Sequence, residues 1–132
     1  MTQKNINIMD KIADELVSGK NISDALKVVY RKRNVGIPFS NKTFDIPVED
    51  TGISVKSINA LRRKGLRTVN DVIEFASNDS LKHIPNLGRG SAIRLLESIL
   101  NIAWSKMSAS ERVEFLMDTV ERNEENVHFE LM

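Results

Sequence analysis

The sequence has 132 residues, 41% hydrophobic, 28% charged and 5% aromatic, which describes one ordinary globular domain or a small one with appendages. No apolar run approaches the roughly 18 to 20 residues of a membrane span, acids interrupt the N-terminal stretch where a signal peptide would be apolar, and there is no cysteine, so a cytoplasmic protein without disulfides, metal or cofactor is expected. The net charge of +1 hides opposed segments: residues 1–51 carry +1, residues 52–107 carry +5 and residues 108–132 carry −5.

From the N-terminus, Ile8, Met9, Ile12, Ala13, Leu16 and Val17 recur at helical spacing and predict a helix stopped by Gly19. Asn21, with Asp24 three positions on, caps a second helix whose inner face is Ile22, Ala25, Leu26 and Val29 and which Gly36 and Pro38 end. Residues 1–36 therefore read as a helical hairpin, whose apolar stripes need the rest of the protein or a second copy, as in a homodimer, for burial. Residues 37–51, with Pro38 and Pro47 around Phe39 and Phe44, lack periodicity and read as an extended connector.

Signals become dense in residues 52–107. Ser54 caps a helix through Lys64 with Ile58 and Leu61 inward, and Gly65 stops it. Thr68 and Asp71 open the next helix, with Val69, Val72, Ile73 and Ala76 on its buried face. A short helical turn at Leu81 precedes a longer helix marked by Ala92, Leu95, Leu96, Ile99 and Ala103, ending near Trp104. In residues 108–132 Ser110 caps a last helix carrying Val113, Leu116, Met117 and Val120, followed from Glu121 by an acidic tail expected to fray. Strand patterns are absent, so the expected fold class is all-α.

The string Ile84-Pro85-Asn86-Leu87-Gly88-Arg89-Gly90-Ser91-Ala92 sets an apolar anchor and a glycine turn directly before a helix start. Unpaired N–H groups and the helix dipole make such an end suited to an anion. Gly88 and Gly90 let a phosphate approach the main chain, Ser91 can donate a hydroxyl and Arg89 adds charge; the other reading is a helix connection whose glycines serve only the turn. A second half begins at Ile53, where Lys56 and Asn59 share a helix face, with Arg62 and Arg63 further along. Asp71, Glu74, Asp79 and Glu97 are scattered without acid/base or two-metal spacing, His83 reads as a surface polar residue and Trp104 as packing, so no enzyme is expected.

The stretch from about Ile46 to Trp104 closely resembles the C-terminal domain of the bacterial RNA polymerase alpha subunit, a compact helical module related to helix-hairpin-helix folds. The resemblance rests on ISVKSINAL at 53–61, on Gly65-Leu66-Arg67-Thr68-Val69 with Asp71-Val72, and on Pro85-Asn86-Leu87-Gly88 followed by Ser91. It implies that module's fold with an added N-terminal hairpin and C-terminal helix. It also implies binding across the A·T-rich DNA minor groove and contacts to sigma factors, transcription activators or RNA polymerase. Carried across, Lys56 stands where the family has an arginine that enters the groove, and Asn59 matches the groove asparagine. Gly88 matches the glycine facing the phosphates, Ser91 a phosphate-contacting serine and Asp50 a sigma-facing acid.

Four positions depart from the pattern. Lys56 keeps the charge but loses the planar fork. Gly90 replaces a second basic residue in the loop, Arg94 adds positive charge where the family often has glutamate, and Gly52 replaces a second acid beside Asp50. The large assembly domain of the alpha subunit has no counterpart in the sequence, which implies a different use of the module. The expected function is a non-enzymatic DNA-binding protein acting as a transcription accessory or regulator, with contacts from Lys56, Asn59, Gly88, Arg89, Gly90, Ser91 and Arg94. The alternative is a protein-interaction module that binds a sigma factor, activator or RNA polymerase without touching DNA.

Overall fold

The computed structural model describes residues 2–31, 35–38 and 46–123. Its helices are α1 (Gln3–Val17), α2 (Ile22–Tyr30), α3 (Val55–Arg63), α4 (Val69–Asn78), α5 (Arg89–Lys106) and α6 (Ala109–Arg122), with short 3-10 turns at Val48–Thr51 and Leu81–His83. Among the described residues the only β-type pairing is a single antiparallel bridge between Pro47 and Thr68, so the fold is all-α. None of the described helices is long and apolar enough to cross a membrane. The protein divides into two compact units, one made of Met1–Phe39 with Trp104–Met132 and the other of Ser40–Ala103.

In the Ser40–Ala103 unit the starts of α3 and α4 are written in their caps. Ser54 Oγ accepts the Ser57 N–H at 3.2 Å to open α3, and Gly65, at φ 85°, carries the backbone out of it. At α4 the Asp71 N–H donates to Thr68 Oγ1 (3.2 Å), while the Thr68 and Arg67 N–H groups donate to Asp71 Oδ2 (3.1 and 3.0 Å). These helices bury Leu61, Val69 and Val72, α5 buries Leu95 and the loop before it Ile84, all at 1% exposure or less. Residues 46–51, read from sequence as the end of a connector, are folded instead. Val48 is fully buried, its N–H donates to Arg67 O (2.9 Å), and the Val69 N–H donates to Ile46 O (2.8 Å). A four-residue turn held by distant hydrogen bonds leaves no periodic trace, which is why sequence pattern misses it. Phe39 and Phe44 lie outside the described residues.

Hydrogen bonding from the Arg67 backbone N–H, followed by that from Thr68, holds the Asp71 carboxyl below the usual carboxylate range. The folded state thus takes up this proton less readily than the unfolded state. Its stabilisation is full above the ordinary aspartate range and is lost as pH falls through the lowered folded value. Acid unfolding of Asp71→Asn, followed by circular dichroism, should therefore show a shallower pH dependence than wild type in that window; identical curves would remove Asp71 from the account.

In the other unit α1 packs against α2 and α6. Thr2 caps α1, and Asn21 Oδ1 accepts the Asp24 N–H (2.9 Å) to open α2. Ile8 and Ile12 are buried as expected, but Ala13 and Val17 face outward, Val17 at 87% exposure, because the buried face of α1 centres on Asn5, Ile8 and Ile12. Helix α2 stops at Tyr30, well before Gly36, where Arg31 turns left-handed at φ 55° and its N–H closes on Lys27 O (2.7 Å).

The cap of α6 is Ser108, not Ser110. Ser108 Oγ accepts the Glu111 N–H and Glu111 Oε1 accepts the Ser108 N–H, both at 3.2 Å, a reciprocal pair that Ser110 has no partner to form. Phe115, Leu116, Thr119 and Val120 turn inward and Val113 is left 52% exposed. The helix continues through Arg122 before residues 124–132, which lie outside the described residues. Asn123 then clamps a remote stretch of backbone: its Oδ1 accepts the Gly36 N–H and its Nδ2 donates to Gly36 O, both at 2.9 Å. Trp104 meets Phe115 edge to face at 5.9 Å, and the Arg112 guanidinium lies 4.8 Å over the indole.

Candidate nucleic-acid interface

Two helix starts of the Ser40–Ala103 unit carry the residues singled out from sequence. At the first, Ser54 ends the loop and presents Val55, Lys56 and Asn59 outward, while Ser57, Ala60 and Leu61 face the core. Among the described residues neither the Lys56 ammonium nor the Asn59 amide has a hydrogen-bond partner. Arg62 does not continue this basic face as a free charge. Its Nε donates to Glu49 Oε1 at 2.8 Å, its Nη2 contacts the same oxygen, and the pair is exposed. Hydrogen bonding to its own backbone N–H, then to Arg62, lowers the Glu49 pKa.

The second start is the turn into α5. Buried Ile84 and Leu87 anchor it, and the Leu87 N–H donates to Ile84 O (3.1 Å). The left-handed conformation that the turn demands falls on Asn86, at φ 67°, and not on either glycine. Asparagine tolerates that region because its short amide bonds locally. Gly88 accepts the Ala92 N–H (2.9 Å) as the helix begins, and a Cβ added there would meet nothing within 4 Å. Neither turn nor packing in the described structure thus needs a glycine at 88. Gly88, Arg89 and Gly90 are exposed and Ser91 is half-buried. Arg94 folds back over this first turn: its Nη2 donates to Ser91 Oγ at 3.3 Å, and Nη1 would lie 3.6 Å from a Cβ at Gly90. The structure therefore brings Gly90, Ser91 and Arg94 together, while Lys56 and Asn59 form a separate exposed pair on α3.

Asp50 lies exposed on the 3-10 turn Val48–Thr51, its N–H donating to Pro47 O (2.9 Å). His83 Nδ1 sits 2.7 Å from Asp79 Oδ1 at the surface, and that hydrogen bond, ahead of one from the Ser80 N–H, lowers the Asp79 pKa. No group of three or more His, Asp or Glu side chains converges as a metal site among the described residues. Sequence reading passed over a groove lined by Gly65, Leu66, Asp71, Glu74, Phe75, Asn78 and Asp79, with the Lys64 ammonium 5.6 Å over the Phe75 ring. The available signal was Phe75, an aromatic one position off the buried stripe of α4.

Residues 38–101 match the family model for the C-terminal domain of the alpha chain of bacterial RNA polymerase. The protein is 38% identical over 69 residues to the DNA-directed RNA polymerase subunit alpha of Tropheryma whipplei (strain Twist), covering 52% of the sequence and 21% of that subunit. It is 40% identical over 65 residues to the same subunit of Mesostigma viride, covering 47% and 20%, and 28% identical over 87 residues to that of Phaeodactylum tricornutum (strain CCAP 1055/1), covering 65% and 26%. It thus spans about a fifth to a quarter of the length of these curated relatives. No solved structure matches it.

Proposed function

We propose, from the match of residues 38–101 to the C-terminal domain of the alpha chain of bacterial RNA polymerase, that this protein binds DNA without catalysing a reaction on it, in a transcription role. The observation that carries the reading is Gly88. Its open surroundings and ordinary backbone leave close approach of an outside group as the use for the missing side chain, at a helix start whose N–H groups and dipole favour phosphate. Ser91, Arg89 and Arg94 add a hydroxyl and two charges beside it. Lys56 and Asn59 enter the minor groove, which separates A·T from G·C and little else, so a modest A·T preference results.

Titration of labelled A·T-rich and G·C-rich duplexes at several salt concentrations tests the reading. With a handful of phosphates neutralised, log K should fall against log salt with a slope of roughly −3 to −5. Lys56→Ala should raise Kd by roughly 10-fold and erase the A·T preference. Wild type and variant binding alike, or neither binding, would show the DNA face to be misplaced.

A second reading draws on the groove beside Phe75, whose lining combines Leu66 and Phe75 with the acids Asp71, Glu74 and Asp79 and suits a protein partner such as a sigma factor, an activator or RNA polymerase, with Asp50 as the sigma-directed acid. Capture from lysate with and without nuclease separates the two, since a partner bridged by DNA is lost on digestion and a direct one stays.

A further inference from the structure

Helix α3 ends in the basic run Arg62-Arg63-Lys64, and the structure treats the three differently. Arg62 is tied to Glu49, and the Lys64 ammonium rests 5.6 Å over the Phe75 ring. Arg63 is exposed, and its guanidinium has no hydrogen-bond or ion-pair partner among the described residues. At 100° per residue Arg63 falls about 20° from Lys56, seven positions earlier, and about 40° from Asn59, four positions earlier; all three are exposed, whereas Ser57, Ala60 and Leu61 are buried. The rise of the helix sets the Cα atoms of Lys56 and Arg63 about 10 Å apart. The minor groove is about 6 Å wide, so a helix that feeds Lys56 into it holds a long side chain two turns on at the phosphates along its border.

We propose that Arg63 is a further DNA contact of this protein, neutralising a backbone phosphate beside the groove that Lys56 enters, and that Glu49 withholds Arg62 from the same surface. The proposal rests on the DNA-binding reading above. It assigns Arg63 to affinity and not to sequence, because a phosphate contact is blind to the base pairs beside it. A purely structural use of Arg63 is available, since a cation in the last turn complements the helix dipole. That use would alter thermal stability and leave the salt dependence of DNA binding where it was.

The full protein and its Arg63→Ala, Arg63→Lys, Arg62→Ala and Lys56→Ala variants are titrated by fluorescence anisotropy on A·T-rich and G·C-rich duplexes from low to moderate salt. Arg63→Ala should make the salt slope shallower by about 0.9 and raise Kd roughly threefold or more on both duplexes alike. Arg63→Lys should keep the wild-type slope, because a point charge suffices for a phosphate. Arg62→Ala should also keep it, and Glu49→Gln should steepen it by freeing Arg62, a gain that the Glu49→Gln/Arg62→Ala double variant cancels. The proposal is overturned if Lys56→Ala weakens binding while Arg63→Ala does not, or if Arg62→Ala and Arg63→Ala lose equally. Absence of salt-dependent binding in wild type would instead take down the DNA reading and this assignment together. Thermal melts confirm that each variant folds.

Discussion

Replacing Gly88 with aspartate is expected to weaken DNA binding roughly a hundredfold or more while leaving the domain folded. Position 88 sits where the α5 ladder begins, its carbonyl taking the Ala92 N–H at 2.9 Å, and aspartate is among the preferred residues there. Its φ lies outside the left-handed region and an added Cβ meets nothing within 4 Å, so the fold accepts the side chain without strain. The carboxylate itself would occupy the place of the phosphate. Two like charges about 4 Å apart repel by about 4 kcal/mol at an effective dielectric of 20, and partial screening still leaves a loss of about two orders of magnitude. Anisotropy titration paired with a thermal melt makes the check. A variant that melts like wild type and also binds like wild type would place the phosphates elsewhere, and Gly88→Ala, with no charge, should lose far less.

The second large effect falls on the other unit. Asn123→Ala should lower stability by about 2–4 kcal/mol, or roughly 5–15 °C in Tm. Asn123 is 2% exposed and spends its amide on Gly36 N–H and O, both at 2.9 Å, and on Thr119 O at 2.8 Å. Alanine would leave the polar groups of Gly36 without these partners at a half-buried site. Space is tight as well, since a Cβ at Gly36 would come within 3.1 Å of Arg122 Cδ. Trp104, the single tryptophan, packs on Phe115 and Arg112 in the same unit, so its fluorescence follows this unit's unfolding directly. An unchanged melt at that probe would mean that the clamp contributes nothing measurable.

Much of the fold was legible in the sequence because its signals are local. Thr68 with Asp71, Ser54, Asn21, Gly19 and Gly65 each act within a few residues, through a cap or a positive φ, and each does so in the structure. The helix start at the candidate site was legible for the same reason: Gly88 directly precedes α5, and the first N–H groups of a helix lack intrahelical partners wherever it begins. What the pattern of residues left open were choices between local alternatives that remote contacts settle. Val17 continues a helical stripe that faces no partner, and Val48 follows a proline in a stretch without period; the Ser108 cap is a local signal, with Glu111 three positions on, that the choice of Ser110 overlooked.

By itself, then, the sequence determined the all-α class, the helix starts and the resemblance of its middle to the C-terminal domain of an alpha subunit, since each is a property of short strings. Only the tertiary structure decided that Asn123 closes on Gly36, 87 positions away, and that the hairpin shares one compact unit with α6. It alone showed that Asn86 and not a glycine takes the left-handed turn, and that Glu49 removes Arg62 from the basic face and leaves Arg63 on it. Side-chain pairing across long sequence separations has no period to read, and a charge's partner is known only once the backbone has brought it within about 3 to 4 Å.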